Sequence, residues 1–310
     1  MKRSAIFLAA ALLGGAARAA VTPFRFVHIS DTHISATPSA HDTNLRNAVA
    51  EINAMDPLPV VVFHTGDVTE LGKAVEFERY LENIRDLRVP VKHTPGNHET
   101  RWADQSINRF VEYFGSPNIS FTRNGVRFIR FNAAIWLEHH GAVSGDTRRW
   151  IVSELAKDPP GTPAVLMCHQ PPMYPDGVFM TGDVELWKAI APYNVRLFLN
   201  GHGHIFKSWT VNGVLCHMTK GMMNEQGGYS IYEVGTGDIK VYDKLVGSAR
   251  KLVATVPLQP KPVTVDVTDL GVSGGEARYE ASVTAAAATV SRVEYQVGRA
   301  SCRERVLTDV

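Results

Sequence analysis

The chain contains the turn Thr94-Pro95-Gly96-Asn97-His98-Glu99, which follows the short apolar run Arg88-Val89-Pro90-Val91. Proline, glycine and asparagine at the end of a strand favour a turn, and such a turn is a poor place for core residues. It is a suitable place for polar side chains that act on a ligand. We therefore expect this turn to form part of a functional site.

Four further polar segments each follow an apolar run. They are Asp31-Thr32-His33, Gly66-Asp67, His169 and Gly201-His202-Gly203-His204. The apolar runs have the length of buried strands, and the segments that separate the first three have helical periodicity. This strand–helix order predicts parallel strands with helices packed against them. Polar side chains at the carboxyl ends of such strands are expected to meet at one edge of the sheet.

The order of the predicted elements indicates an α/β fold. Helices are expected at residues 42–55, 73–87, 106–114, 146–155 and 183–190. Strands are expected at residues 24–29, 60–63, 89–91, 119–121, 126–131, 164–168, 195–199, 208–211, 214–218, 229–234 and 239–242. Asn124-Gly125 is typical of a hairpin turn between the fourth and fifth strands. We expect the last four strands to form an antiparallel half that completes a sandwich.

The spacing within two of the turns predicts a metal centre. Residues two apart on an extended strand lie on the same side, so Asp31 and His33 are expected to converge, as are His202 and His204. The other turns add one carboxylate, one amide and one imidazole. This set of oxygen and nitrogen donors suits two divalent cations, of which one carboxylate can bridge both.

In their order along the chain, the five polar turns resemble those of the calcineurin-like metallophosphoesterase superfamily. The resemblance runs from about Phe24 to about Tyr242. The segments most similar to its cyclic-nucleotide-phosphodiesterase-like branch are Ser30-Asp31-Thr32-His33, Gly66-Asp67-Val68-Thr69 and His169-Gln170-Pro171-Pro172. The resemblance implies a four-layer sandwich of two mixed β-sheets flanked by helices, and a phosphoesterase activity.

The resemblance also implies a role for each site residue. The first metal ion would bind Asp31, His33 and His204, the second would bind Asn97, His169 and His202, and Asp67 would bridge the two. His98 would face the substrate as a general acid or as a donor to a phosphoryl oxygen. Glu70 would orient His98 as a hydrogen-bonded partner.

The implied mechanism is in-line attack of a metal-bridging hydroxide on phosphorus, with His98 assisting the leaving oxygen. Purple acid phosphatases carry a metal-bound tyrosine at the position of Glu70, so an iron–tyrosinate site is not expected. Manganese, iron(II) and zinc all stay open as the two divalent ions.

The two ends of the chain are predicted to lie outside the catalytic domain. Residues 1–19 combine a basic start, a short apolar run and a small-residue cleavage pattern, which predicts a secretory signal peptide. The catalytic domain is expected at residues 22–250. Residues 257–310 begin with a proline-rich linker and alternate like strands, which indicates a partial, truncated immunoglobulin- or fibronectin-like β module. We expect a periplasmic or secreted protein without a transmembrane segment.

The bulk composition constrains the partners. The chain has 310 residues and a net charge of +1, which gives no indication of a nucleic-acid-binding surface. The expected partner is a small phosphorylated substrate, and the oligomeric state stays open. Cys168 and Cys216 lie in apolar runs and are expected to be buried thiols, although a bridge between them stays open.

Several histidines outside the motifs are expected to have structural roles rather than to bind metal. His64 and His93 precede glycine turns and are expected to support the site or the core rather than bind metal. His28 and His217 are expected to be ordinary strand residues. His139 is expected in a loop, either solvated or in contact with substrate. The loop around Tyr174 and Phe179 either roofs the pocket or is ordinary surface.

Three functions fit these patterns. The first is hydrolysis of phosphodiesters, and the second is hydrolysis of phosphomonoesters at the same site. The third is a non-catalytic exported binding protein that keeps the fold. The complete set of candidate ligands favours an enzyme over the third.

Overall fold

The computed structural model describes residues 20–103, 105–259, 263–273 and 276–285. The predicted signal peptide and the end of the predicted β module lie outside the described residues. Those expectations therefore stay predictions.

The elements alternate along the chain as follows. The helices are α1 Ala40–Asn53, α2 Ala74–Ile84, α3 Asn108–Phe114, α4 Gly145–Leu155 and α5 Asp183–Ile190. The first eight strands are β1 Phe24–Ile29, β2 Val62–His64, β3 Val91–His93, β4 Ile119–Arg123, β5 Val126–Arg130, β6 Gly141–Ala142, β7 Ala164–Met167 and β8 Met180–Thr181. The others are β9 Val195–Asn200, β10 Lys207–Val211, β11 Val214–Met218, β12 Gly228–Val234, β13 Asp238–Leu245, β14 Lys251–Pro257, β15 Val263–Ser273 and β16 Glu276–Ala285.

Two six-stranded sheets form the centre of the fold. The first has the order β14-β13-β12-β1-β2-β3, and the second has the order β10-β11-β9-β7-β5-β4. In the first sheet β1, β2 and β3 are parallel, and in the second β5, β7, β9 and β11 are parallel. Antiparallel strands complete the other edges. Both sheets are therefore mixed, as predicted.

Three apolar clusters separate four layers. The middle cluster packs one sheet on the other through aromatic side chains such as Phe26, Phe63 and Phe128. A second cluster packs α1 and α2 on the outer face of the first sheet, and a third packs α4 and α5 on the second sheet. The four-layer sandwich is confirmed.

Local sequence explains where the first helix begins. Ser39 caps α1 and forms a capping box with Asp42, which satisfies backbone groups that have no partner within the helix. Leu45, Val49 and Ile52 then face the core at helical spacing. This helix carries the chain from β1 to its parallel neighbour β2.

The prediction for the last strands was wrong in one respect. They do not form one antiparallel half, because β10 and β11 belong to the second sheet whereas β12 and β13 belong to the first. The Asn212-Gly213 turn pairs β10 with β11, and residues 219–227 then cross to the other sheet. The first sheet also includes β14, which lies beyond residue 250. Strands β15 and β16 pair with each other as a separate hairpin.

Two further expectations concern cysteines and membranes. Cys168 and Cys216 are both buried and free, so no bridge joins them. Within the described ranges, no helix combines the length and the apolar character that a membrane span requires.

Candidate metal centre

The predicted ligands converge at the carboxyl ends of β1, β2, β3, β7 and β9. One group consists of Asp31, His33, Asp67 and His204, whose potential ligand atoms lie within 4.8 Å of one another. His204 Nε2 is 3.2 Å from Asp31 Oδ1, and His33 Nε2 is 3.6 Å from Asp67 Oδ2. This group has the composition predicted for the first metal ion together with the bridging carboxylate.

A second group adjoins the first through Asp67. His169 Nε2 lies 3.0 Å from Asp67 Oδ2 and 3.1 Å from Asn97 Oδ1. His202 Nδ1 lies 2.9 Å from the same Asn97 oxygen and 3.2 Å from His169 Nε2. Asp67 thus belongs to both groups, which is the position that a bridging ligand requires.

The hydrogen bonds around these rings direct lone pairs towards the centre. His169 Nδ1 lies 2.8 Å from the Thr65 carbonyl oxygen, which only accepts, so Nδ1 carries the proton. With a cation bound at the centre, the ring would be neutral and would present its Nε2 lone pair to that cation, beside the Asp67 and Asn97 oxygens. His33 Nδ1 is held in the same way by Glu70 at 3.0 Å, and its buried Nε2 has no hydrogen-bond partner. Lone pairs that face one another fit a bound cation, so the residues present fit the implied ions.

The charges agree with this arrangement. Burial opposes ionisation, but hydrogen bonding to His204 and the charge of His169 lower the pKa of Asp31. Burial likewise opposes ionisation of Asp67, and nearby histidines lower its pKa well below the usual value. Burial lowers the pKa of His169, yet the two carboxylates raise it to about 9. Buried anions therefore face imidazole rings, and a divalent cation would neutralise the same charge.

The backbone at these residues differs from the predicted geometry. Asp31, His33, Asp67, His202 and His204 all have positive φ angles, between 42° and 71°. The expectation that an extended strand aligns these pairs was therefore wrong. Left-handed turns after the strands bring Asp31 and His33 into one ligand group, whereas His202 and His204 enter different groups. Such backbone costs about 1–3 kcal/mol per residue and occurs mainly at functional sites.

Glu70 has a different partner from the predicted one. Its carboxylate contacts His33 Nδ1, whereas its backbone carbonyl oxygen accepts a hydrogen bond from His98 Nδ1 at 2.6 Å. The predicted side-chain pair between Glu70 and His98 is corrected accordingly, because the turn directs the carboxylate towards the first group. Glu70 thus orients two rings, one with its side chain and one with its backbone.

Glu99 is a site residue that the sequence analysis missed. Its buried carboxylate accepts hydrogen bonds from the amides of Asp67 at 3.0 Å, Thr69 at 2.9 Å and Gly96 at 2.8 Å. Burial and the neighbouring Asp67 raise the pKa of Glu99 to about 7. The carboxylate fastens the turn after β2 to the turn after β3. The position of Glu99 at the end of a polar turn is the sequence feature from which its role could have been predicted.

His64 and His93 have the structural roles that were expected of them. His64 Nε2 contacts Thr32 Oγ1 at 3.1 Å, and His93 Nε2 contacts the Tyr80 hydroxyl at 2.8 Å. Neither joins the ligand groups. His139 is the exception, because its ring centroid lies 4.4 Å from that of His202. It borders the centre.

Aromatic side chains flank the opening of the centre. Phe179 lies 5.2 Å from His202 between ring centroids, and Tyr174 lies 5.4 Å from Phe179. On the other side, Trp102 packs edge-on against His98 at 4.3 Å. The loop around Tyr174 and Phe179 therefore contacts a ligand histidine, in agreement with the idea that it roofs the pocket.

The sequence profile of the calcineurin-like phosphoesterase family matches residues 24–206, which include every ligand described above. The chain belongs to this family. Calcineurin-like phosphoesterases use two divalent metal ions, and the two ligand groups are where this chain could hold them.

Curated relatives and solved structures agree with this membership. A 3′,5′-cyclic-nucleotide phosphodiesterase of Nostoc sp. is 27% identical over 59% of this chain and 72% of its own length. A glycerophosphodiester phosphodiesterase of Enterobacter lignolyticus is 24% identical over 47% of this chain, and the match spans only 56% of that relative. A purple acid phosphatase from yellow lupin seeds has a TM-score of 0.58 at 13% identity, covering 77% of this chain and 54% of its own, which shows the fold alone. The chain thus spans little more than half the length of the glycerophosphodiester phosphodiesterase and of the purple acid phosphatase.

One prediction concerns the close approach of Gly96 to the shared carboxylate. A Cβ at this position would meet the side chain and the amide of Asp67. We expect Gly96→Ala to displace Asp67 and lower the rate of metal-dependent ester hydrolysis by roughly 100-fold. Gly237→Ala is the matched control, because its Cβ would meet no atom within 4 Å. Equal rates for both variants would contradict the proposed geometry.

A second prediction concerns Glu99. In Glu99→Gln an amide group replaces one acceptor oxygen, and so at least one buried backbone amide loses its partner. We expect the free energy of unfolding to fall by about 2 kcal/mol, measured by denaturant titration. Metal affinity, measured by calorimetry, should fall with it. Glu112→Gln, on an exposed position of α3, should change neither quantity.

Proposed function

We propose that this calcineurin-like phosphoesterase is an exported phosphodiesterase with two metal ions. The observation that carries the proposal is the position of Asp67. Its Oδ2 lies 3.0 Å from His169 Nε2 and 3.6 Å from His33 Nε2, at the junction of two ligand groups. A carboxylate at such a junction is what two adjacent divalent cations require.

The ligands divide between the two ions as follows. We assign Asp31, His33 and His204 to one ion, Asn97, His169 and His202 to the other, and Asp67 to both. When bound, such a pair of ions activates water as a nucleophile and neutralises charge on the phosphoryl oxygens. Manganese, iron(II) and zinc all suit this mixture of oxygen and nitrogen donors.

The chain itself contributes the orientation of His98. Its Nδ1 donates to the Glu70 carbonyl oxygen, and Trp102 packs edge-on against its ring. Because Nδ1–H is committed, Nε2 donates a proton only from the protonated ring. Burial lowers the pKa of His98, and the nearby Asp67 charge opposes that effect. A bound phosphate anion further favours the protonated ring, which can then donate to the leaving oxygen.

Two observations support phosphodiesters as the substrate class. Both relatives described above are named as phosphodiesterases, one for cyclic nucleotides and one for glycerophosphodiesters. The predicted signal peptide supports a periplasmic or secreted location, where extracytoplasmic diesters are the available substrates. Phosphomonoesters are the runner-up, because the same ions would bind them.

A third prediction tests the class of reaction. The metal-loaded protein should hydrolyse an aryl phosphodiester faster than the matching monoester, and the ratio of the two rates identifies the preferred class. Asp67→Ala removes the shared ligand, so we expect loss of bound metal, measured by elemental analysis, together with loss of both activities. An Asp67→Ala variant that keeps its metal and its rate would disprove the site. No turnover of either ester by the metal-loaded protein would disprove the function.

A fourth prediction separates the roles of two neighbours in the same turn. Asn97→Ala removes a ligand and should weaken metal binding by about tenfold or more. His98→Ala should keep the metal content and lower the rate by about 10²–10⁴-fold. The loss should be larger for alkyl than for nitrophenyl leaving groups, since nitrophenolate needs little protonation. Equal losses for both leaving groups would argue against a general acid.

A further inference from the structure

Exposed apolar side chains concentrate in four loops of the chain. These loops follow β3, β5, β7 and β9, the strands that end beside the metal centre. Their exposed apolar residues, called the collar below, are Trp102, Trp136, Leu137, Met173, Val178 and Ile205. Each is between 40% and 76% exposed. Half of the exposed large apolar side chains in the described part of the chain belong to the collar, and the others are on α2, α3, α5 and β14.

Hydrogen bonds join three of the four loops, and the fourth carries the candidate ligand His204. Thr100 Oγ1 donates to the Ile135 carbonyl oxygen at 3.2 Å, which links the first loop to the second. The amide of Gly141 donates to the Phe179 carbonyl oxygen at 2.9 Å, which links the second to the third. Ile205 directly follows the ligand His204 in the fourth. Two of these loops also pack on the centre, since Trp102 contacts His98 and Phe179, which follows Val178, contacts His202.

A positively charged side chain lies beside one of the collar residues. The Arg101 guanidinium lies 4.8 Å from the centre of the Trp102 ring. This combination suits the surface of a lipid layer. Tryptophan rings are enriched at the level of the lipid headgroups, and the arginine guanidinium can pair with a lipid phosphate.

We propose that the collar docks the enzyme on a phospholipid surface and that the substrate is the phosphodiester of a lipid headgroup. This inference rests on the proposed function. In a phospholipid the phosphodiester lies close to the hydrocarbon chains. The phosphodiester would therefore reach the polar centre while the collar contacts the apolar part of the lipid layer. Hydrolysis adds one water molecule across one P–O bond, which leaves a phosphomonoester on one fragment and a free hydroxyl on the other. Large exposed apolar patches generally mark such interaction surfaces.

Vesicle binding provides a test that does not depend on turnover. The full, metal-loaded chain is mixed with vesicles of phosphatidylcholine and phosphatidylglycerol, and the bound fraction is measured by flotation. We expect the unaltered protein to float with the vesicles. The double variant Leu137→Glu/Val178→Glu should bind the vesicles at least about tenfold more weakly. The double variant Val75→Glu/Leu252→Glu changes apolar residues that are also exposed but lie outside the collar, and should bind like the unaltered protein.

Turnover then separates the inference from the function on which it rests. The hydrolysis rate is measured for dispersed long-chain phosphatidylcholine and for soluble glycerophosphocholine. The ratio of the lipid rate to the soluble rate should fall about tenfold in the collar variant and stay constant in the control variant. Hydrolysis of the soluble diester without vesicle binding would overturn the collar proposal alone. Absence of hydrolysis of both diesters and of an aryl diester would overturn the proposed function.

Discussion

The two buried carboxylates, Asp31 and Asp67, determine how the rest of the molecule is built. Their ion-pair partners in the described structure are histidine rings, of which His33 and His169 are themselves held by acceptors. Desolvating a carboxylate is costly unless charge or hydrogen bonds compensate for it. Backbone amides supply part of this compensation, since those of His202 and His98 donate to Asp31 and Asp67. The histidine rings supply the rest, and divalent cations bound at this position would neutralise the same negative charge.

The turns that hold these ligands are stabilised by a second layer of polar side chains. Thr65 accepts from His169 through its carbonyl oxygen, while its hydroxyl lies 2.8 Å from His28 and 2.9 Å from Ser30. Glu99 performs the same task on the other side, where it fixes the amides of two adjacent turns. The left-handed backbone at the ligands is unfavourable by itself. It persists because these hydrogen bonds and the packed sheets leave the turns no alternative conformation.

The sequence allowed most strands, their order and the candidate ligands to be predicted, because apolar runs and polar turns are local features, but it did not reveal β6, β8 and β14. It did not allow the geometry between turns to be predicted. The pairing of Glu70 with His33, rather than with His98, depends on where the turn after β2 lies relative to β1. The assignment of β10 and β11 to the second sheet likewise depends on which open edge is nearest. Exposure of Leu137 or Val178 cannot be read from a single chain, because an isolated apolar residue in a loop is equally consistent with burial.

The fold separates two chemical environments that a phosphoester substrate must meet at once. The strands bring charged and polar ligands together at their carboxyl ends, where burial keeps Asp67 and His169 away from bulk water. The loops that follow the same strands extend outward, and residues at their tips do not need to pack against the core. An apolar residue such as Val178, at 76% exposure, therefore contributes nothing to the folded core and weakens solubility. Its position beside a ligand-bearing loop makes sense if contacts outside the chain cover it while the phosphate reaches the centre.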